Sequence, residues 1–398
     1  MADRPLPVSE VTIWSPAIPM RTRFSHATAV RACAEPLIVG VELADHTIGY
    51  GETHPREYVT GESHESVVAT IREVFVPILV DLRPGNFGEA IEAAANLPLT
   101  DARGRVISAA RAAVELAVLD AYGRAFDRSL EALAGWLGES WLAAPGSLDT
   151  VRYSGVVSNT AAKRAAWTVR KMRLSGLRDF KLKVGDAHDG ERLAAVVKTL
   201  GRGLEAGRKT LRLDANGAWT PEEAASRLAQ WEELPIACVE QPLAKGNVQA
   251  WAALAGHTSL PLMADESLVT PDDAEALIVN RAASWFNIRI SKNGGLIPAM
   301  QLAAIARRHD VAFQLGCMVG ETSILSAAGR WFLQMVPDVR FAEGSFGRFL
   351  LSSDVIARPI RFGYGGRWRP MNGPGLGVTV DVERLQRLCQ EKPKRIPL

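Results

Sequence analysis

Phe180-Lys181-Leu182-Lys183-Val184 sets two lysines at alternate positions of an otherwise apolar run. A strand repeats its facing every two residues, so both ammonium groups share one side of it. Seven further short apolar or β-branched runs accompany this one: Tyr153 to Ser158, Thr210 to Asp214, Ala237 to Glu240, Leu262 to Ala264, Trp285 to Ile290, Ala312 to Gln314 and Arg340 to Ala342. Their starts lie 23 to 30 residues apart. That interval accommodates a strand, a crossover helix and two loops, the βα unit. Eight such units predict a closed barrel.

The segments between the runs carry helix-start chemistry. Thr220-Pro221-Glu222-Glu223 and Thr270-Pro271-Asp272-Asp273 each offer an N-cap hydroxyl, a proline at the first helical position and acids in the first turn. After the eighth run, Arg358 to Gly377 is rich in Gly, Pro and Arg and reads as an irregular connection. Before residue 130 the texture changes: Val11 to Trp14 and Leu37 to Leu43 read as strands, with a turn at Asp45-His46, and Ser63 to Leu82 and Ser108 to Phe126 read as helices. This predicts an antiparallel meander followed by a small helical bundle. The boundary is expected near residue 140, within Gly135 to Pro145.

Composition narrows the classes of function. The chain has 398 residues, with 46 basic against 44 acidic side chains, so neither a nucleic-acid footprint nor an acidic tail is indicated. Cys33, Cys238, Cys317 and Cys389 are too scattered for a zinc site or a redox pair. Met1 to Pro7 shows no apolar signal region, and no stretch of about 18 apolar residues occurs. A cytoplasmic protein with no membrane partner is expected.

In a β/α barrel the carboxyl ends of the strands form the site. Here the third, fourth and fifth runs finish in Asp214-Ala215-Asn216, Glu240-Gln241-Pro242 and Asp265-Glu266-Ser267, and the sixth continues into Ser291-Lys292-Asn293-Gly294-Gly295. Three ionised carboxylates converging without a cation repel one another, and a hard divalent ion resolves that conflict. Oxygen-only donors favour Mg²⁺, with Mn²⁺ the alternative, over zinc. The second and sixth strands stand opposite each other on an eight-membered ring, so Lys183 and Lys292 are expected on either flank of the metal. Lys181 beside Lys183 can depress the basicity of the latter. Such a site removes a proton next to a substrate carboxylate, the metal stabilising the resulting enediolate.

At these residues the sequence resembles the enolase superfamily, specifically its muconate lactonizing enzyme subgroup. The likeness rests on Lys181-x-Lys183, Asp214-x-Asn216, Glu240-Gln241-Pro242, Asp265-Glu266-Ser267 and Lys292-x-Gly294-Gly295 in order, and on the alanine-rich stretch Ala109 to Gly123. It implies an α/β architecture: a modified (β/α)7β TIM-type barrel over 141–369, with an α+β capping domain over 1–140 completed by a tail from about 370 to 398. It also implies Asp214, Glu240 and Asp265 as Mg²⁺ ligands, Lys183 and Lys292 as acid/base catalysts, and substrate selection by two cap loops. Those loops would be Met20 to Ala27, with Arg21, Arg23 and His26, and His54 to Glu62, with Tyr58. Glu321 after the seventh strand and Glu343 at the eighth are further substrate-facing candidates. Ala342-Glu343-Gly344-Ser345 departs from the Asp-x-Asp of dipeptide epimerases. The nearest histidine to the seventh strand, His309, precedes it, which disfavours mandelate-racemase-type chemistry.

Blander roles stand beside these. Asn216 and Gln241 suit turns or support of the ligands. Glu266 points to the opposite face from Asp265 if the chain stays extended. Cys317 suits packing, since no histidine base is placed near it. Gly49-Tyr50-Gly51 is too short for a dinucleotide fingerprint. The expected activity is racemisation, epimerisation or cycloisomerisation of a small carboxylate by a homo-oligomeric isomerase. The alternatives are a lyase eliminating water, as in o-succinylbenzoate synthase, and a non-catalytic metal-binding protein.

Overall fold

The computed structural model describes residues 5–26, 29–142 and 151–398, with the side chains of residues 22–31 outside that description. Near the amino terminus, β1 (Val8–Trp14), β4 (Leu37–Leu43) and β5 (Ile48–Thr53) form an antiparallel sheet, while β2 (Ile18–His26) and β3 (Ala29–Ala34) pair apart from it as a hairpin. The carboxyl-terminal strand Lys394–Pro397 adds to the open edge of β1. The helix Ser108–Ala125, almost wholly buried, lies across β5. Its approach explains Gly49-Tyr50-Gly51: a Cβ on Gly51 would stand 1.9 Å from the Ala113 carbonyl oxygen, and one on Gly49 2.0 Å from the Ala121 nitrogen. Those glycines admit a helix backbone where other side chains would hold it off.

The remaining strands are β6 (Gly155–Val157), β7 (Asp179–Lys183), β8 (Thr210–Asp214), β9 (Cys238–Glu240), β10 (Leu262–Ala264), β11 (Trp285–Ile288) and β12 (Ala312–Leu315), parallel and paired in chain order. Helices follow in the expected alternation, and those at Pro221–Trp231 and Pro271–Val279 begin with capping boxes from Thr220 and Thr270. The eighth run differs from its expectation, for it is one residue making two isolated bridges rather than a strand. Ala342 pairs with both Tyr153 and Leu315. The left-handed backbone at Gly344 and Ser345 stops further extension. Those bridges still close the ring, since Ser154 donates to the Ala342 carbonyl at 2.8 Å and Glu343 to that of Leu315 at 2.8 Å.

Buried carboxylates fasten the two parts. Glu115 accepts hydrogen bonds from Leu296 N at 2.7 Å and Ile297 N at 2.9 Å, at the first turn of the helix Leu296–Arg308. Glu52 does the same for the helix Ser323–Met335, accepting from Thr322 N at 2.8 Å and Leu325 N at 3.0 Å. Free amides at a helix start favour a negative partner. Gly295 serves this contact: φ is +124° there, and a Cβ would sit 2.1 Å from Glu115 Oε2. The Thr53 hydroxyl and the His54 amide meet the Ser291 hydroxyl at 2.9 and 3.0 Å. The sequence neighbour of Lys292 is thereby tied to the first sheet.

Candidate active site

Alternation along the barrel strands turns a polar set inward. Asp214 and Glu240 are register partners at the ends of β8 and β9, and Asp265 lies just past β10. All three are fully buried. Lys181 Nζ sits 3.2 Å from Asp214 Oδ2, 3.1 Å from Glu240 Oε1 and 2.7 Å from Glu343 Oε2. Lys183 Nζ donates to Asp214 Oδ2 at 2.5 Å and Asn216 Oδ1 at 2.7 Å. On the far side Lys292 Nζ donates to the Asp265 carbonyl at 2.7 Å, Asp265 Oδ1 at 3.1 Å and the Asn287 carbonyl at 2.8 Å.

Arg289 was not anticipated, and it is central. Its guanidinium hydrogen-bonds Asp265 Oδ2 and lies 3.6 Å from Glu240 Oε1, so it bridges two of the three acids. The signal was a lone charge within the sixth apolar run, the pattern that singled out Lys181 and Lys183. Arg212, Asn287 and Gln314 were missed in the same way. Arg212 pairs with Glu343 at 3.1 Å and stacks 4.3 Å from the Phe341 ring, while Asn287 Nδ2 donates to Glu240 Oε1 at 2.9 Å.

The electrostatics follow from burial and from this pairing. Burial raises the Glu240 pKa and the like charge of Asp214 adds to that, to about 7 in spite of Lys181. Burial acts upward on Asp214 too, but Lys183 and Lys181 pull it below the usual carboxylate range. For Lys181, burial works downward and is outweighed by Glu240, Glu343 and Asp214, which carry it above an ordinary lysine. The Lys181 ammonium is thus the counter-charge shared by these three acids. At this end of the barrel Lys292 is lowered well below its ordinary value by burial and then by Arg289.

A cavity of about 630 Å³ opens onto Lys181, Lys183, Asn216, Glu266, Arg289 and Glu343. Glu266 corrects an expectation: the chain turns at Asp265 instead of remaining extended, and Glu266 lines the cavity, accepting from Asn216 Nδ2 at 3.2 Å. Asn216 and Gln241 adopt left-handed backbone, φ 48° and 40°. Gln241 ties neighbouring strand ends, accepting from Asp265 N at 3.0 Å and donating to Ser267 Oγ at 2.8 Å. Tyr58 and Glu321 line the cavity as well, and burial raises Glu321 to about 8. Arg21 does not line it; its Nε donates to the Leu351 carbonyl at 2.8 Å. The side chains of Arg23 and His26 lie outside those described. Cys317 faces the cavity, but burial pushes its thiol far up, against a nucleophilic role. Lys292 is absent from the lining, the carboxylate of Asp265 standing between it and Arg289.

Asp214, Glu240 and Asp265 are oxygen-only donors, fully buried on adjacent strand ends, a set whose chemistry suits a hard divalent ion. Among the described residues no three acids already converge as a cage. Arg289 is bonded to Asp265 Oδ2 and lies 3.6 Å from Glu240 Oε1, a cation already set between two of the oxygen donors that would serve such an ion.

Residues 8–135 match the mandelate racemase / muconate lactonizing enzyme N-terminal domain, and residues 164–385 match the enolase C-terminal domain-like family. The chain belongs to the muconate lactonizing enzyme subgroup of the enolase superfamily and is an isomerase of that superfamily. It is 30% identical over 378 residues to muconate cycloisomerase 1-2 of Acinetobacter lwoffii, covering 92% of this chain and 91% of that protein. With the N-succinyl-L-Arg/Lys racemase of Bacillus cereus it shares 27% identity over 392 residues, 96% of this chain and 97% of the other. The crystal structure of that racemase superposes with a TM-score of 0.83 at 25% identity, covering 98% of this chain and 100% of that one. Enzymes of this family are generally Mg²⁺-dependent.

Proposed function

We propose that the chain moves the proton on the carbon next to a substrate carboxylate, in a Mg²⁺-dependent racemisation, epimerisation or cycloisomerisation. The observation that carries this reading is that Lys183, at the end of β7, and Lys292, in the turn after β11 across the ring, each bond a different acid of the buried trio. Asp214, Glu240 and Asp265 would hold the ion, which when bound neutralises the substrate carboxylate and so eases negative charge at the adjacent carbon.

Lys292, its ammonium disfavoured by burial and by Arg289, is suited to accept a proton as the free amine. Lys183, facing the cavity, is suited to deliver or remove one at the other face. Lys292 gains access to the substrate once Arg289 leaves Asp265. Lys181 keeps the acids in register through its three ion pairs. Glu321, held up to about 8, offers a neutral carboxyl to the substrate at neutral pH. A cavity of about 630 Å³ with Met172, Leu177, Phe349 and Phe362 on its walls suits a carboxylate bearing a sizeable apolar substituent. The named activities of the relatives, cycloisomerisation and racemisation of an N-succinyl amino acid, support the same chemistry.

The test is polarimetry of single enantiomers of N-acyl amino acids, with ultraviolet assays of muconates, at several Mg²⁺ concentrations. Metal-dependent loss of rotation or ring closure supports the reading. No turnover across both sets defeats it.

A further inference from the structure

The amino-terminal end of the barrel has its own concavity. Arg178 and Lys209 immediately precede β7 and β8, so they mark the rim opposite the acids. With Arg152, Arg170, Arg173 and Arg367 they line a pocket of about 700 Å³ that has no acidic side chain among the described residues of its wall. None of the six forms an ion pair among the described residues. In a chain of 46 basic and 44 acidic residues this is local segregation of charge.

The negative pole of the helix Ala162–Leu174 accounts for Arg173 alone among the six. Arg173 donates to the Thr199 carbonyl, and Lys209 Nζ to that of Leu200 at 3.2 Å. Burial, then Arg173 and Arg208, lower the Lys209 pKa, as expected where like charges crowd. The frame is firmly bonded: Gly365 N donates to the Ser175 carbonyl at 2.8 Å and Tyr153 N to that of Gly366 at 3.0 Å. Tyr364 lies against the bare backbone of Gly176, where a Cβ would come within 2.5 Å of the ring, yet the residue is 73% exposed. The ring is thus anchored at Gly176 and largely open to a ligand.

Arginine forks match phosphate oxygens in pairs, and a terminal phosphate carries about two negative charges at pH 7. We propose that this pocket binds a polyphosphorylated small anion, its phosphates on the arginines and, in a nucleotide, its base against Tyr364. Neither the acids nor the lysines at the opposite end of the barrel take part.

Calorimetry with inorganic triphosphate and with ATP, at low ionic strength and without Mg²⁺, tests it. Both should bind, with affinity falling steeply as salt rises. The double charge reversal Arg170→Glu with Arg178→Glu should weaken both at least ten-fold while leaving the thermal unfolding midpoint in place. Tyr364→Ala should weaken ATP several-fold and leave triphosphate unchanged. Absence of binding, indifference to the charge reversal, or tighter binding of a DNA duplex than of either anion overturns the proposal. Unchanged ATP affinity in Tyr364→Ala overturns its nucleotide part.

Discussion

Glu115→Ala probes whether the cap is fastened to the barrel by a carboxylate on a helix start. In the native chain Glu115 accepts the amides of Leu296 and Ile297 and lies 3.5 Å from the guanidinium of Arg111, all of them buried. Truncation leaves two amide donors without a partner, at about 1–3 kcal/mol each. It also strips Arg111 of its one ion-pair partner among the described residues, a step that costs about 3–5 kcal/mol for a buried pair. Arg111 keeps backbone acceptors at Leu97, Ala94 and Gly294, which offsets part of that loss. A net destabilisation of about 4 kcal/mol follows, a large share of a total stability of about 5–15 kcal/mol. Urea unfolding followed by tryptophan fluorescence reads it as a lowered midpoint. A loss below about 1 kcal/mol would refute the reasoning, because such a value is typical of an unremarkable surface change.

Glu62 makes the parallel contact at the start of Ser108–Ala125, and burial raises its pKa to about 7. A carboxyl with a raised folded-state pKa contributes stability that is full below its unfolded value near 4.5 and lost as pH rises through about 7. Wild type should therefore lose about 3 kcal/mol relative to Glu62→Gln between pH 4.5 and pH 8, since one unit is about 1.4 kcal/mol; parallel stability curves would contradict this. Arg289→Met removes the cation that bridges Asp265 and Glu240, and Mg²⁺ affinity by calorimetry should rise at least ten-fold, with a fall as the opposing result. Asp214→Asn should weaken Mg²⁺ binding at least ten-fold, and unchanged affinity would exclude it as a ligand.

The barrel was legible because its strands alternate and its helices announce their starts, as at Thr220-Pro221 and Thr270-Pro271. The ring's closure was harder to read, since Ala342 contributes only one bridge to each of its neighbours Tyr153 and Leu315, an extent set by those neighbours rather than by local propensity. Charges at strand ends brought Lys181, Lys183, Asp214, Glu240, Asp265 and Lys292 to notice. Arg289 escaped because the sixth run reads as extending to Ile290 and its charged exit as Lys292, whereas β11 ends at Ile288 and Arg289 is itself the residue at the strand exit. Glu266 went astray for another reason: parity along a strand predicts facing only while the backbone is extended, and it turns at Asp265. The cap contacts of Glu52 and Glu115 join residues 270 and 181 positions apart, beyond any local pattern.

Hydrogen exchange at the substrate bears most directly on the paired lysines. Each enantiomer of a turned-over carboxylate would be incubated in D₂O with Mg²⁺ and wild type, Lys183→Ala or Lys292→Ala, and deuterium at the α-carbon followed by NMR. The two-lysine account predicts label in both enantiomers with wild type, and in each variant loss of label from the enantiomer served by the missing amine. Wild-type labelling of both enantiomers by either variant would contradict it.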